Sequence, residues 1–149
     1  MVSLVKKLPE KLYKRIYSLV PRLCVDVIIR STDGIVLVKR DIPPCKGMWH
    51  IPGGTVLLGE SLGQAVKRVA KDETNLEIEI NQPLQVKEYS KESAFGQVVS
   101  IVYLADAISG YLKGNGYGEE VKAFKVIPAE TILEQIQLIK KALSIDCSI

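Results

Sequence analysis

Histidine and cysteine are scarce in this 149-residue sequence, with one and three copies respectively. Cys24, Cys45 and Cys147 stand far apart with no CxxC pair. That spacing supports neither a disulfide framework nor a zinc site, and a reducing cytoplasm is the expected location. Long apolar runs are also missing. The longest, residues 98–108, is broken by Ser100 and Asp106 and falls far short of the ~20 residues that cross a bilayer. Near the start, Leu8, Pro9 and Glu10 lie among lysines, without the apolar core or small-residue cleavage site of a signal peptide, so none is expected. Neither sign of charge dominates. The formal net charge is +3, too little to argue for a nucleic-acid partner. Lys6, Lys7, Lys11, Lys14 and Arg15 fit the solvated face of a short amphipathic helix.

What is present is the balance of a globular protein: 47% apolar and 25% charged residues, in a length that suits one domain with its own core. Pro9 is placed to open a helix over about residues 9–20, with Leu12, Tyr13, Ile16, Tyr17 and Val20 at helical spacing until Pro21. β-branched residues predict strands at 23–29 and 35–38, joined by the turn Ser31-Thr32-Asp33-Gly34. Residues 41–47 read as a loop, 49–52 as a short extended segment, and Gly53-Gly54 as a turn where backbone can approach a ligand. Ser61 and Gln64 form a capping-box pair opening a helix over 62–74, with Asn75 as its C-terminal cap. Strands follow at 76–80, 84–89, 97–107 and 121–126, then a glycine-rich loop at 110–118 between the last two, and a final helix after Pro128 carrying Ile132, Leu133, Ile136, Leu138, Ile139 and Leu143. The order predicts an α+β fold in which a mixed sheet lies between helices, α/β/α.

One residue is out of place on the central helix. Glu73 falls four residues after Val69, in line with the apolar stripe of Leu62, Ala65, Val66 and Val69. A carboxylate there requires a cation as companion, because burying it alone costs several kcal/mol. Arg68 and Asp72 sit beside it at i, i+4 spacing. With Glu60 and the Gly53-Gly54 turn they offer the oxygen ligands that Mg²⁺ prefers, and arginine binds diphosphate bidentately. Read alone, these charges would more often be surface pairs; their combination argues for a site.

These residues resemble the signature of the Nudix hydrolases: Gly54, five residues, Glu60, seven residues, then Arg68-Val69-Ala70-Lys71-Asp72-Glu73-Thr74-Asn75-Leu76. The spacing is intact. The approach through Lys39-Arg40 and 47–54, and the later Glu119-Glu120 and Pro128-Ala129-Glu130, are similar too, so the resemblance spans most of residues 23–133. It implies a single Nudix domain over residues 1–149 and Mg²⁺, or Mn²⁺, held by Gly53, Glu60, Asp72 and Glu73. Three positions depart from the pattern. Asp72 for Glu keeps the charge, Asn75 for Gly keeps access to the left-handed backbone, and Val69 for Glu removes a metal ligand.

An apolar residue at that position resembles the GDP-mannose mannosyl hydrolase branch, as do Pro44 to Trp49 and Asp26 in the first strand. By that resemblance Arg40 and Arg68 stabilise the departing diphosphate, Asp26 and Arg40 bind substrate, and water attacks the sugar carbon. The branch's strand histidine is missing; Val98, Val99 and Ser100 stand there. Glu119 or Glu120 is then the candidate base, while His50 beside Trp49 reads as a packed strand residue. Trp49, Tyr103 and Tyr117 are candidates for stacking a base, with Tyr103 favoured, although aromatic residues in strands are more often core. Cys45 has no activating neighbour. The expectation is a Mg²⁺-dependent hydrolase of a nucleotide sugar, in a cytoplasmic protein that binds neither nucleic acid nor membrane and is compatible with a homodimer. The alternatives are a pyrophosphohydrolase attacking phosphorus and a nucleotide-binding module that has lost catalysis.

Overall fold

Strand β1 (Arg22–Ser31) has six consecutive buried residues, Cys24 through Ile29, which requires cover on both faces. The computed structural model, which describes residues 6–43, 45–89, 96–114 and 120–145, supplies that cover. Pro44, Tyr117, Glu119 and Cys147, singled out above, lie outside the described residues. Alternation along β1 sends Val25, Val27 and Ile29 to a cluster with Val66, Val69 and Ala70 of α2 (Leu62–Thr74). Ile28 faces the other way, to a cluster with Leu138 and Ile139 of α3 (Leu133–Leu143). The layers are therefore helix, sheet, helix, as the order of elements predicted.

One edge of β1 runs parallel to β6 (Val98–Ser109) from Arg22↔Val98 to Arg30↔Asp106. The other edge is shared. Its end pairs with β2 (Gly34–Lys39) at Arg30↔Ile35, and its start pairs with β4 (Gly53–Thr55) at Cys24↔Thr55, Val25↔Gly54 and Asp26↔Gly53. β2 goes on to pair with β3 (Trp49–His50) and β7 (Val121–Phe124), and the outermost neighbour of β6 is β5 (Glu77–Tyr89). Gly34, at φ 122°, is needed at the hairpin: a Cβ there would come within 2.2 Å of the Phe124 carbonyl oxygen.

Three expectations are corrected. The strands at 76–80 and 84–89 are one, β5, interrupted by register shifts around Gln82 and Pro83; an edge strand with bulges accommodates a proline that a central strand would not. β7 stops at Phe124 rather than residue 126. The helix over residues 9–20 is shorter, α1 (Glu10–Tyr17), with Ser18 turning its hydroxyl onto the Arg15 carbonyl oxygen at 2.7 Å. None of its residues is buried. It is tied down by polar contacts: the Tyr13 and Thr55 hydroxyls are 2.7 Å apart, Arg22 donates to the Tyr13 hydroxyl, and Lys7 just before the helix reaches Asp72 at 3.2 Å. Among the described residues no helix is long and apolar enough to cross a membrane.

Candidate active site

The opening of α2 matches its capping signature. Gln64 N–H donates to the Ser61 hydroxyl at 3.1 Å, and Ser61 N–H to the Gln64 side chain at 2.8 Å. At the other end Asn75 takes the left-handed conformation, φ 65°. The helix is thereby fixed at both ends, and its last turn brings Glu73 to the glycine turn of β4, where Gly53 N–H donates to Glu73 Oε2 at 3.2 Å. Beneath this turn lies Val69. A Cβ on Gly54 would come within 3.1 Å of Val69 Cγ2, so the apolar side chain fills the space under the bend where the family pattern has a carboxylate.

Glu60 is paired with Arg68. Its Oε2 and Oε1 accept from Arg68 Nε at 3.0 Å and Nη2 at 2.8 Å, and Oε1 also accepts from Leu57 N–H at 2.8 Å. The Glu60 side chain is 3% exposed, and Arg68 holds its carboxyl below the usual range. It orients Arg68, which also donates to the Thr55 carbonyl at 2.8 Å. Asp72 is outward, 3.7 Å from Arg68 and 3.2 Å from Lys7. Among the described residues no group of three His, Cys, Asp or Glu is arranged to hold a metal. Two carboxylates, Asp72 and Glu73, with the Gly53 backbone, nevertheless suit an ion that takes most of its ligands from water and diphosphate, as Mg²⁺ does.

The split edge of β1 opens a cavity of about 1110 Å³ lined by Asp26, Arg40, His50, Gly53, Glu73 and Gln135, among others. Asp26, 8% exposed, lies against Gly53: a Cβ on that glycine would meet Asp26 Oδ1 at 2.1 Å. A chain of hydrogen bonds steadies it. Ile51 N–H donates to Gln135 Oε1 at 2.8 Å, Gln135 Nε2 donates to the Tyr89 hydroxyl at 3.5 Å, and that hydroxyl donates to Asp26 Oδ2 at 3.2 Å. Neither Tyr89 nor Gln135 was anticipated. The available signal was one glutamine on the buried face of α3, between Ile132 and Leu138.

Three candidates are not brought to this place. Tyr103 packs against the cluster under α2, on the face of β6 opposite Val102 and Leu104. It lines neither this cavity nor the neighbouring one on the α2 side. Glu120 likewise lines neither, being drawn to Lys122 at 2.8 Å and Lys39 at 3.7 Å; those lysines hold its carboxyl low. Trp49 is buried with its ring against Phe124 at 4.7 Å, a core residue as the sequence suggested.

Burial drives two titratable groups of the cavity wall, Asp26 and His50, in opposite senses. It pushes Asp26 from 3.8 up to about 6, against the pull of the Ser100 and Tyr89 hydroxyls and Arg22. It pushes His50 from 6.5 down to about 4; its hydrogen bond to the Ile51 carbonyl opposes this and Arg40 adds to it. Folded Asp26 keeps a proton that the unfolded chain has released, so its contribution to stability falls as pH rises from about 4 to 6. Folded His50 lacks a proton that the unfolded chain takes up, so its contribution falls as pH drops from about 6.5 to 4. Each effect is about 3 kcal/mol, and the two nearly cancel. Urea unfolding of metal-free protein between pH 4 and 7 should show Asp26→Asn losing stability on acidification and His50→Gln gaining it. Parallel pH profiles for both variants would contradict the assignment.

The comparisons agree with this geometry. The profile of the NUDIX domain matches residues 20–145. The chain is 38% identical over 122 residues to an ADP-ribose pyrophosphatase of Methanocaldococcus jannaschii, covering 82% of this chain and 71% of that protein. It is 35% identical over 83 residues to the low-salt glycan biosynthesis protein Agl8 of Haloferax volcanii, covering 56% of this chain and 53% of that one. In three dimensions it superposes on a MutT Nudix hydrolase from Burkholderia pseudomallei with a TM-score of 0.69 at 26% identity, covering 81% and 97% of the two chains. With an unbroken box spacing, the helix and glycine turn it encodes, and a family match over most of its length, the chain belongs to the Nudix family of hydrolases.

Proposed function

We propose that the protein hydrolyses a nucleoside diphosphate linked to a sugar, of the ADP-ribose type, with Mg²⁺ or Mn²⁺ as cofactor. The observation that carries this is the meeting of Glu73 with the Gly53 turn in the wall of a cavity that also holds Asp26 and Arg40. The likeness to an ADP-ribose pyrophosphatase over 82% of the chain supports the substrate class. Asp72, Glu73 and the Gly53 carbonyl would hold the ion, whose chemistry is to neutralise the diphosphate and polarise the bond that breaks. Arg68, fixed in direction by Glu60, adds a cation that needs no reorientation when negative charge develops. Arg40 is the second candidate cation for the diphosphate, and Asp26 accepts hydrogen bonds from sugar hydroxyls.

Purified protein with Mg²⁺ or Mn²⁺ should turn over ADP-ribose and lose that activity in EDTA; no turnover with either ion would overturn the proposal. Attack at phosphorus is the primary reading and yields AMP and ribose 5-phosphate. Val69 favours a second reading, attack at the anomeric carbon of a glycosyl diphosphate, because it removes a carboxylate from the box; a nucleoside diphosphate hexose would then give the nucleoside diphosphate and free hexose. Oxygen-18 from labelled water in the phosphate product marks the first route and in the sugar the second.

A further inference from the structure

A second cavity, of about 560 Å³, lies between α1 and the start of the box and shares Glu10, Tyr13, Gly53, Gly54, Thr55 and Glu73 with the first. The two differ in chemistry. The larger presents Asp26, Arg40, His50, Arg22 and Gln135, groups suited to hydroxyls and phosphates. Tyr17, Val56, Leu57, Leu58 and Val69 line only the smaller, which also holds the cations Lys7 and Arg68 beside the carboxylates Asp72 and Glu73. A flat heterocycle beside a phosphate needs that combination: apolar and aromatic faces for the ring, cations for the charge.

We propose that this second cavity, closed on one side by α1, binds the base of the nucleoside, while the distal sugar occupies the larger cavity and the diphosphate bridges them at Gly53 and Glu73. The inference rests on the nucleoside diphosphate reading above. It also gives Val69 a purpose, since a carboxylate there would replace an apolar contact with a charge. Tyr13 and Tyr17, whose ring centroids are 4.7 Å apart at an interplanar angle of 63°, become residues that set base preference. α1 then belongs to the binding site although none of its own residues is buried.

Amide chemical shifts titrated with ADP in EDTA test the placement without any turnover. Shifts centred on Tyr17, Leu58 and Val69 are expected. Shifts centred on Ile132 and Gln135, or none at millimolar ADP, would overturn it. Tyr17→Ala should weaken ADP binding about tenfold while leaving ribose 5-phosphate binding unchanged. Leu58, 90% exposed, provides a second variant that leaves the core alone, and Leu58→Ser should weaken ADP in the same selective way. Equal loss for both ligands, or for neither, counts against the base site. Should ADP bind here while no sugar diphosphate is turned over, the hydrolase reading fails and this one stands.

Discussion

Glu73→Gln should lower metal-dependent turnover by about a thousandfold, roughly 4 kcal/mol of transition-state stabilisation, while the thermal unfolding midpoint stays where it was. The amide keeps an oxygen that can still accept from Gly53 N–H, so the turn and the last turn of α2 remain joined. What it lacks is the charge. A divalent cation held by only two carboxylates and a carbonyl loses half its formal neutralisation when one becomes an amide. Rates measured against Mg²⁺ concentration should therefore show a weaker apparent metal affinity together with a lower maximum. Unchanged turnover by a folded Glu73→Gln protein would remove the metal from this corner.

The second large effect concerns stability. Arg68→Met should destabilise the fold by about 2 to 3 kcal/mol, toward the lower end for breaking buried pairs because the arginine side chain is itself 23% exposed. The loss comes from Glu60, whose 3% exposed carboxylate would retain only the Leu57 N–H. Unfolding midpoints should drop by about 5 to 10 °C. The double variant Glu60→Met, Arg68→Met should recover most of that loss, because no charge is then left buried alone. If the double variant were no more stable than the single one, the pair would not be the cause. Activity should stay low in both, since neither restores a cation beside the diphosphate.

These effects bear on how the site could be read beforehand. Local features were legible. Ser61 and Gln64 signal a helix start through their own side chains, Asn75 signals its end through backbone preference, and the β-branched runs mark β1 and β2 as strands buried on both faces. Glu73 could be singled out because a charge interrupted an apolar stripe. The roles that escaped depend on contacts distant in sequence. Whether Glu60 meets a metal or Arg68 is decided by the curl of residues 56–60, which no spacing rule encodes. Asp26 is held through Tyr89 and Gln135, residues 63 positions and more away on β5 and α3. Tyr103 was placed by its chemistry alone, whereas strand alternation sent it to the other side of the sheet. The gap left at residues 81–83 closes into one strand because Pro83 is tolerated where β5 lies at the sheet edge.

The divided edge of β1 has a wider consequence. The hollow beside Asp26 lies where two different strands take up successive stretches of one backbone. Substrate preference can thus drift, one wall residue at a time, while the scaffold carrying Arg68 and Glu73 stays as it is, and a chain that has exchanged a box glutamate for valine can still present an intact receptacle to a new ligand.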